Sequence, residues 1–199
     1  MSNELEKLTL QDSLDPKSKL LEVAKERGAL LFGEFELSAG GTSSYYFDGR
    51  LLTLDPEGSY LTARCFLPTL LSCGADAIAG PTLGADPIVA AIAAISHVEG
   101  SPIPALIVRK ETKSYGGRRS VEGPVREGMK VAVVDDTCTS GASLFHAIKE
   151  IEKEGCEVVQ VLSILDRGAG GSEECRRRGY EFLSILAADD DGNISVVSD

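Results

Sequence analysis

The pattern of hydrophobic and polar positions divides most of the chain into alternating strands and helices. Short apolar runs rich in β-branched residues recur after residue 74, among them "ADAIAGP", "IPALIVRK", "MKVAVVDD", "CEVVQVLSILDR" and "YEFLSIL". Between them, "GADPIVAAIAAISHVEG", "GASLFHAIKEIEKEG" and "SEECRRRG" have the composition and spacing of helices. Apolar strands separated by amphipathic helices are typical of parallel βαβ units whose sheet is covered on both faces. The pattern therefore predicts an α/β fold with a mostly parallel sheet.

The N-terminal part of the chain has a different pattern. Asp15 and Pro16 are a typical N-cap and first-turn pair for a helix that Gly28 would end. The next stretch, "LFGEFELSAGGTSSYYFDGR", predicts two short strands around a Gly/Ser turn, and "PEGSYLTARCFLPTLLSCG" predicts a helix. We expect residues 1–50 to form an N-terminal helix and a small hood subdomain, and residues 51–199 to form the α/β core. The acidic tail, "ADDDGNISVVSD", is predicted to be peripheral.

Composition narrows the class of protein. The chain has 199 residues, 43% hydrophobic and 26% charged, which is typical of one globular domain. No apolar run approaches the ~20 residues that span a bilayer. The N-terminus lacks the apolar region of a signal peptide, so we expect a cytoplasmic protein without a membrane partner. Five cysteines without CxxC spacing predict free thiols, and the two histidines, His97 and His146, are too few for a histidine metal cluster.

The charge of the chain is unevenly distributed. A formal net charge of -11 argues against a nucleic-acid partner. Residues 109–119, "RKETKSYGGRR", nevertheless hold five of the 20 cations. A local basic patch on an acidic protein indicates a small polyanion as the ligand, and not a long one.

The stretch "VVDDTCTSGASL", residues 133–144, combines two kinds of chemistry. It follows a predicted strand, and ligands of open α/β sheets bind outside the carboxyl ends of the strands. Residues 137–143 would form a turn into a helix that starts near Gly141, and backbone N–H groups in such a turn bind phosphate. Asp135 and Asp136 suit sugar hydroxyls instead, or Mg²⁺ through water. A ribose 5-phosphate would suit both the turn and the carboxylates. The alternative interpretation is that the stretch is the solvated end of a strand, followed by a hydroxyl side chain that caps the helix.

This stretch resembles the phosphoribosyl pyrophosphate-binding motif of type I phosphoribosyltransferases; the P-loop and G-x-G-x-x-G signatures are absent. Further segments occur in the order and spacing of the orotate phosphoribosyltransferases: "FELSAGGTSSYYFDGRL", "GPTLGADPIV", "VRKETKSYGGRRSVEG" and "SILDR". The resemblance covers about residues 31–167. It implies a type I phosphoribosyltransferase fold and transfer of ribose 5-phosphate from 5-phosphoribosyl 1-pyrophosphate (PRPP) to orotate. The products would be orotidine 5'-monophosphate and pyrophosphate, in de novo pyrimidine (UMP) biosynthesis.

The resemblance also implies roles for individual residues. Mg²⁺ would arrive on the pyrophosphate of the donor, without a direct protein ligand, and the sites would be shared between the subunits of a homodimer. The catalytic residues would be Lys113, Asp135 and Asp136. Orotate would contact Tyr46, Phe47, Thr139 and Arg167, and residues 80–84 would lie near the pyrophosphate. The donor would be bound by Arg109, Lys110, Lys113, Tyr115, Asp135, Asp136, Thr137, Cys138, Thr139, Ser140, Gly141, Ala142 and Ser143.

Three positions depart from the family pattern. Tyr115 stands where many members have His, Ser38 stands where some have Lys, and the segment around Gly84 lacks a lysine found in others. Each change removes positive charge from the site. Two other hypotheses therefore stay open: a phosphoribosyltransferase for another base, and a non-catalytic regulator that senses PRPP. Outside the family context, Tyr46 and Phe47 are also typical of core residues, because alternate strand residues face opposite sides.

Overall fold

A computed structural model describes residues 15–36, 42–110 and 120–198 of the chain. Helices and strands follow the order expected from the sequence, with three short additions. Their bounds are α1 (Pro16–Glu26), β1 (Leu30–Glu36), β2 (Thr42–Phe47), α2 (Gly49–Thr53), α3 (Pro56–Ser72), β3 (Ala77–Pro81), α4 (Asp86–Val98), β4 (Ala105–Val108), β5 (Val121–Glu122), β6 (Lys130–Cys138), α5 (Ala142–Lys153), β7 (Glu157–Asp166), α6 (Gly171–Arg177), β8 (Phe182–Ala188) and β9 (Ile194–Val196).

The described strands form two sheets. The larger has seven strands in the order β5-β4-β3-β6-β7-β8-β9, and β1 pairs with β2 in a separate antiparallel sheet. The five inner strands of the larger sheet are mutually parallel, and only β5 and β9 at its edges run antiparallel. The prediction of a mostly parallel sheet is therefore confirmed.

Strand β6 shows why helices cover both faces of the sheet. Its side chains alternate between two buried clusters: Val131 and Val133 belong to one, and Ala132 and Val134 to the other. All four are fully buried, as expected for a central parallel strand. Helices α1, α3 and α4 pack on the second of these faces, and α5 and α6 pack on the first.

The predicted helix boundaries follow from their caps. The Asp15 side chain accepts the N–H of Ser18 at the start of α1, and Gly28, at φ 68°, follows its end. His97 and His146 lie on α4 and α5, and all five cysteines are free, as the sequence predicted. Within the described residues, we find no helix with the length and apolar character of a membrane span.

Two expectations need correction. The turn predicted over residues 137–143 is shorter, because β6 continues through Thr137 to Cys138, paired with β7. The acidic tail contributes the edge strand β9, in which Ile194 is buried. Strand β9 has three residues and β5 two, so neither is long enough to show a period-two pattern in sequence.

Candidate active site

A cavity of about 390 Å³ opens at the carboxyl ends of β3 and β6, the edge at which an open α/β sheet binds its ligands. Four parts of the chain meet there: the junction of β2 with α2, the turn from β3 to α4, the end of β6 with the start of α5, and Lys110 after β4. Its walls are formed by Tyr46, Phe47, Asp48, Gly49, Arg50, Pro81, Thr82, Leu83, Gly84, Lys110, Asp135, Asp136, Thr137 and Ser143.

Asp135 and Asp136 line this cavity while being largely shielded from water. Asp135 is 6% exposed; its Oδ2 accepts the Ser143 hydroxyl at 2.5 Å, and its Oδ1 accepts the N–H of Asp136 at 2.9 Å. Burial, and then the neighbouring charge of Asp136, raise the pKa of Asp135 above its ordinary value. Burial likewise raises the pKa of Asp136. The site therefore holds two neighbouring carboxyl groups whose ionised forms are disfavoured by burial, although hydrogen bonds partly offset that effect.

Two glycines leave the space that the Asp136 side chain occupies. A Cβ atom on Gly49 would lie 2.6 Å from the Cβ of Asp136, and one on Gly84 would lie 2.9 Å from its Cγ. Both distances are shorter than side chains tolerate without displacement. The start of α2 and the turn after β3 can therefore approach the acid closely only because these positions are glycine.

The turn between β6 and α5 has the features of a phosphate site. Gly141 is the N-cap of α5 in the left-handed conformation, at φ 76°, and no side chain of the described residues caps this end. Its first N–H groups are thus available to an anion. Thr139 and Ser140 are exposed, whereas the Cys138 side chain is fully buried in the core. Of the predicted donor-binding residues, Cys138 can therefore offer only its backbone.

The described part of the basic patch lies beside the acidic pair. Lys110 lines the first cavity and also a second one of about 530 Å³, which Arg109 lines as well. Arg109 forms an exposed ion pair with Glu122 at 3.4 Å. The predicted site residues Lys113 and Tyr115, together with Ser38, lie outside the described residues.

The aromatic residues divide between the cavity and the core. Tyr46 lines the cavity and is 44% exposed, whereas Phe47 lines it from the hydrophobic core and is 9% exposed. Arg167 does not reach this cavity wall. Its Nε donates to the hydroxyl of Tyr45 at 3.0 Å, and its guanidinium carbon lies 4.9 Å from the centre of the Tyr45 ring. Arg167 is thus joined through Tyr45, which the sequence reasoning did not single out, to the strand that carries Tyr46 and Phe47.

Sequence reasoning also missed an ion pair in the cavity wall. Arg50 donates from Nε and Nη2 to the two carboxylate oxygens of Asp48, each at 3.0 Å. These bonds lower the pKa of Asp48, so that it stays ionised beside the acidic pair. The sequence did hold a signal for these two residues. Both closely follow the aromatic pair in "YYFDGR", and Asp is a common helix N-cap.

Comparison with known proteins identifies a family model, curated relatives and solved structures that are similar to this chain. Residues 72–191 match the family model "Phosphoribosyl transferase domain". The orotate phosphoribosyltransferase of Aquifex aeolicus is 39% identical over 172 residues, which are 85% of this chain and 94% of the relative. A crystal structure of the Mycobacterium tuberculosis orotate phosphoribosyltransferase with Fe(III) dicitrate matches with a TM-score of 0.77 and 34% identity, over 90% of this chain and 100% of that one. A structure of that enzyme with PRPP matches with a TM-score of 0.73 and 32% identity, over 87% and 96%.

Proposed function

The chain belongs to the orotate phosphoribosyltransferase family, and we propose that it transfers the ribose 5-phosphate of PRPP to orotate. The reaction gives orotidine 5'-monophosphate and pyrophosphate, which makes the protein a pentosyltransferase of pyrimidine biosynthesis. The family and the type I phosphoribosyltransferase fold expected from the sequence motifs are confirmed. The observation that carries the proposal is the pair of the buried Asp135 and the half-buried Asp136, which faces a cavity beside a helix N-terminus that no described side chain caps.

The two halves of this site suit the two halves of ribose 5-phosphate. The backbone N–H groups at Gly141 and Ala142 suit the 5-phosphate, with hydroxyls from Thr139 and Ser140 close by. The carboxylates of the acidic pair suit the ribose hydroxyls, which are hydrogen-bond donors. Since burial disfavours their ionised forms, these carboxylates gain more from a hydroxyl donor than carboxylates in water do.

Mg²⁺ would enter the site as part of the donor substrate. The described residues include no cluster of three or more His, Cys, Asp or Glu side chains able to hold a metal ion. The two cavity-facing carboxylates fit a Mg²⁺ ion that takes most of its ligands from pyrophosphate oxygens and water. When bound, the ion neutralises negative charge on the leaving group.

Departure of pyrophosphate sets the main demand on the protein. The ribose carbon becomes electron-poor, as in other glycosyl transfers, while negative charge collects on the leaving group. Lys110 and Arg109 lie at the cavities where they can stabilise that charge, and we assign the same role to Lys113 and Tyr115 from the family resemblance. Orotate carries its negative charge on the carboxylate, so the ring nitrogen that bonds to the ribose carbon must also release its proton, which the departing pyrophosphate or water accepts.

Recognition of the base is assigned to the aromatic residues and Arg167. Tyr46 lines the cavity and is 44% exposed, and the buried Phe47 lines it as well. Because Tyr45 occupies Nε of Arg167, the two terminal nitrogens remain as a planar fork for a carboxylate. Orotate carries a carboxylate and common purine bases do not, which favours orotate over the alternative of another base.

An absorbance assay tests the proposed function directly. Mixing the protein with orotate, PRPP and Mg²⁺ should consume the near-ultraviolet absorbance of orotate. Parallel reactions with uracil, adenine, guanine and hypoxanthine distinguish a different base. If no base is consumed but calorimetry shows that Mg·PRPP binds, the result would instead favour the non-catalytic regulator.

We also propose a homodimer with shared sites. Leu83 in the cavity wall is 63% exposed, and Leu51 and Leu54, in and directly after the helix α2 that begins at the cavity, are 51% and 71% exposed, which supports an interface there. If Lys113 acts on the partner's site, mixing Lys113→Ala with Asp136→Ala should restore about a quarter of the activity, since mixed dimers then keep one intact site. No recovery of activity after subunit exchange would contradict shared sites.

The cytoplasmic location of the protein and the division of the chain into a hood region and an α/β core at residue 50 remain predictions.

A further inference from the structure

Two hydrogen bonds tie the ends of the β4–β5 connection, residues 109–120, to helix α5. The imidazole Nε2 of His146 donates to the backbone oxygen of Arg109 at 2.9 Å. The hydroxyl of Ser120 donates to Oε2 of Glu150 at 2.5 Å. The N–H of Arg109 also donates to the backbone oxygen of Ser120 at 2.8 Å, so the two ends are bonded to each other. Residues 111–119 between them lie outside the described part of the chain.

Glu150 is a buried carboxylate that the proposed mechanism does not use. It is 8% exposed, and a buried charge persists in proteins where it is paired and hydrogen-bonded. Its partners are Lys153, at 2.5 Å, and Ser120; both hydrogen bonds lower the pKa of Glu150, the one from Lys153 most. Glu150 therefore stays ionised against the end of the β4–β5 connection, where its hydrogen bond to Ser120 is charge-assisted.

The same face of α5 reaches the acidic pair. Ser143, His146 and Glu150 follow one another at spacings of three and four residues, so they lie along one face of the helix. Ser143 holds Oδ2 of Asp135, as described above. One continuous helix of 12 residues therefore contacts both the acidic side of the site and the ends of the basic connection.

We propose that His146 and Glu150 are positioning residues for recognition of the pyrophosphate group. Through the backbone of Arg109 and the side chain of Ser120, they fix where Arg109 and Lys110 stand relative to the acidic pair. The inference rests on the proposed function, because it assigns those cations to the pyrophosphate of the donor. It requires a side-chain N–H donor at residue 146.

This role differs measurably from a merely structural one. A contact that only stabilises the fold lowers the melting temperature when removed, and affects both substrates alike. A contact that positions the cations changes the KM for PRPP selectively, because orotate is bound by the aromatic side of the cavity.

Four variants test the distinction. His146→Phe keeps the ring volume and removes the donor, His146→Gln restores a side-chain N–H, and Ser120→Ala removes the hydroxyl bound to Glu150. Lys149→Ala is the matched control, since Lys149 is an exposed residue of the same helix. We expect His146→Phe and Ser120→Ala to raise the KM for PRPP about tenfold, because misplaced charges bind and stabilise the leaving group poorly. The KM for orotate, and both constants of His146→Gln and Lys149→Ala, should stay near wild type.

Each outcome decides the question. An unchanged KM for PRPP, or equal rises for both substrates, overturns the inference while leaving the proposed function intact. If circular dichroism shows that His146→Phe does not fold, Ser120→Ala carries the test alone. If the wild-type protein consumes no orotate, the proposed function fails, but calorimetric titration with Mg·PRPP still applies. About tenfold weaker donor binding by Ser120→Ala would then support the positioning role, and equal affinity would overturn it.

Discussion

Replacing Asp135 with Asn should make the protein more stable and less active. The amide is nearly isosteric with the carboxyl group. It can still accept the N–H of Asp136, and its NH₂ group can donate to the Ser143 hydroxyl in place of the bond now made at 2.5 Å. What the substitution removes is a negative charge that is 6% exposed and adjacent to a second carboxylate. The folded state bears the cost of that charge, and the unfolded chain does not.

The size and pH dependence of the gain follow from the raised pKa of Asp135. A carboxyl group whose pKa rises by one unit on folding destabilises the folded state by about 1.4 kcal/mol once it is ionised. We therefore expect Asp135→Asn to gain about 1–3 kcal/mol at pH 8, or about 2–12 °C in melting temperature. Well below the ordinary pKa of 3.8 both states of the wild type are protonated, so the gain vanishes there. Above it the unfolded chain ionises first, and wild-type stability falls as pH rises to the folded pKa.

Thermal and urea unfolding of the wild type and Asp135→Asn between pH 4.5 and 9 would measure this difference. Asp190→Asn, in the exposed loop between β8 and β9, is the matched control and should change stability by less than about 0.5 kcal/mol at every pH. A difference that is constant with pH, or an Asp135→Asn variant that is less stable at pH 8, would refute the reasoning. In either case kcat/KM should fall, because an amide donates to a ribose hydroxyl where a carboxylate accepts.

Three further predictions follow from the site. Binding of Mg·PRPP at pH 6 should release protons, seen as a dependence of the calorimetric heat on buffer ionisation enthalpy, because the donor favours the ionised acidic pair. Gly84→Ala should lower kcat/KM at least about tenfold and the free energy of unfolding by about 1–3 kcal/mol. The added Cβ would lie 2.9 Å from Cγ of Asp136 and would displace that side chain. Tyr45→Phe should raise the KM for orotate about tenfold in steady-state assays and spare that for PRPP, because Arg167 loses its partner.

Each of these predictions has a control and a contradicting result. Asp135→Asn is the control for proton release and should release fewer protons when Mg·PRPP binds. Uptake of protons by the wild type on binding would contradict that prediction. Gly100→Ala, at φ 78° in open space, should lose stability without losing activity; a fully active Gly84→Ala would contradict the second. Tyr60→Phe removes an exposed hydroxyl from α3, and equal effects of Tyr45→Phe on both substrates would contradict the third.

The order of the fold was predictable because its core strands carry a strong local signal. Strand β6 is apolar from Val131 to Val134, and α5 has an apolar face closed by Gly155, so periodicity and end signals agree. The strand's continuation to Cys138 was not predictable from the same signal. Acidic and hydroxylic residues usually end strands, and here pairing with β7 outweighs that preference.

The candidate site was predictable where its residues are adjacent in sequence. Asp135 and the turn before α5 form one contiguous motif, and residue types alone indicated both a phosphate and hydroxyl groups. Contacts between distant segments gave no such signal. The bond from Arg167 to Tyr45 joins residues 122 positions apart, and it depends on how β2 packs against the end of β7. A single sequence does not encode that distance in any local pattern.

We expect the distribution of charge around the cavity to orient the donor. Its acidic side, at Asp135 and Asp136, repels the three phosphate groups of PRPP and attracts its hydroxyls. On the proposed assignment, the N-terminus of α5 binds the 5-phosphate and the cations Arg109 and Lys110 bind the diphosphate. With the ribose held between them, one orientation satisfies every charge, and the reversed one places the larger diphosphate on the turn at Gly141. We therefore expect a chain of net charge -11 to bind a polyanion in one direction, because Lys110 lines the same cavity as the acidic pair.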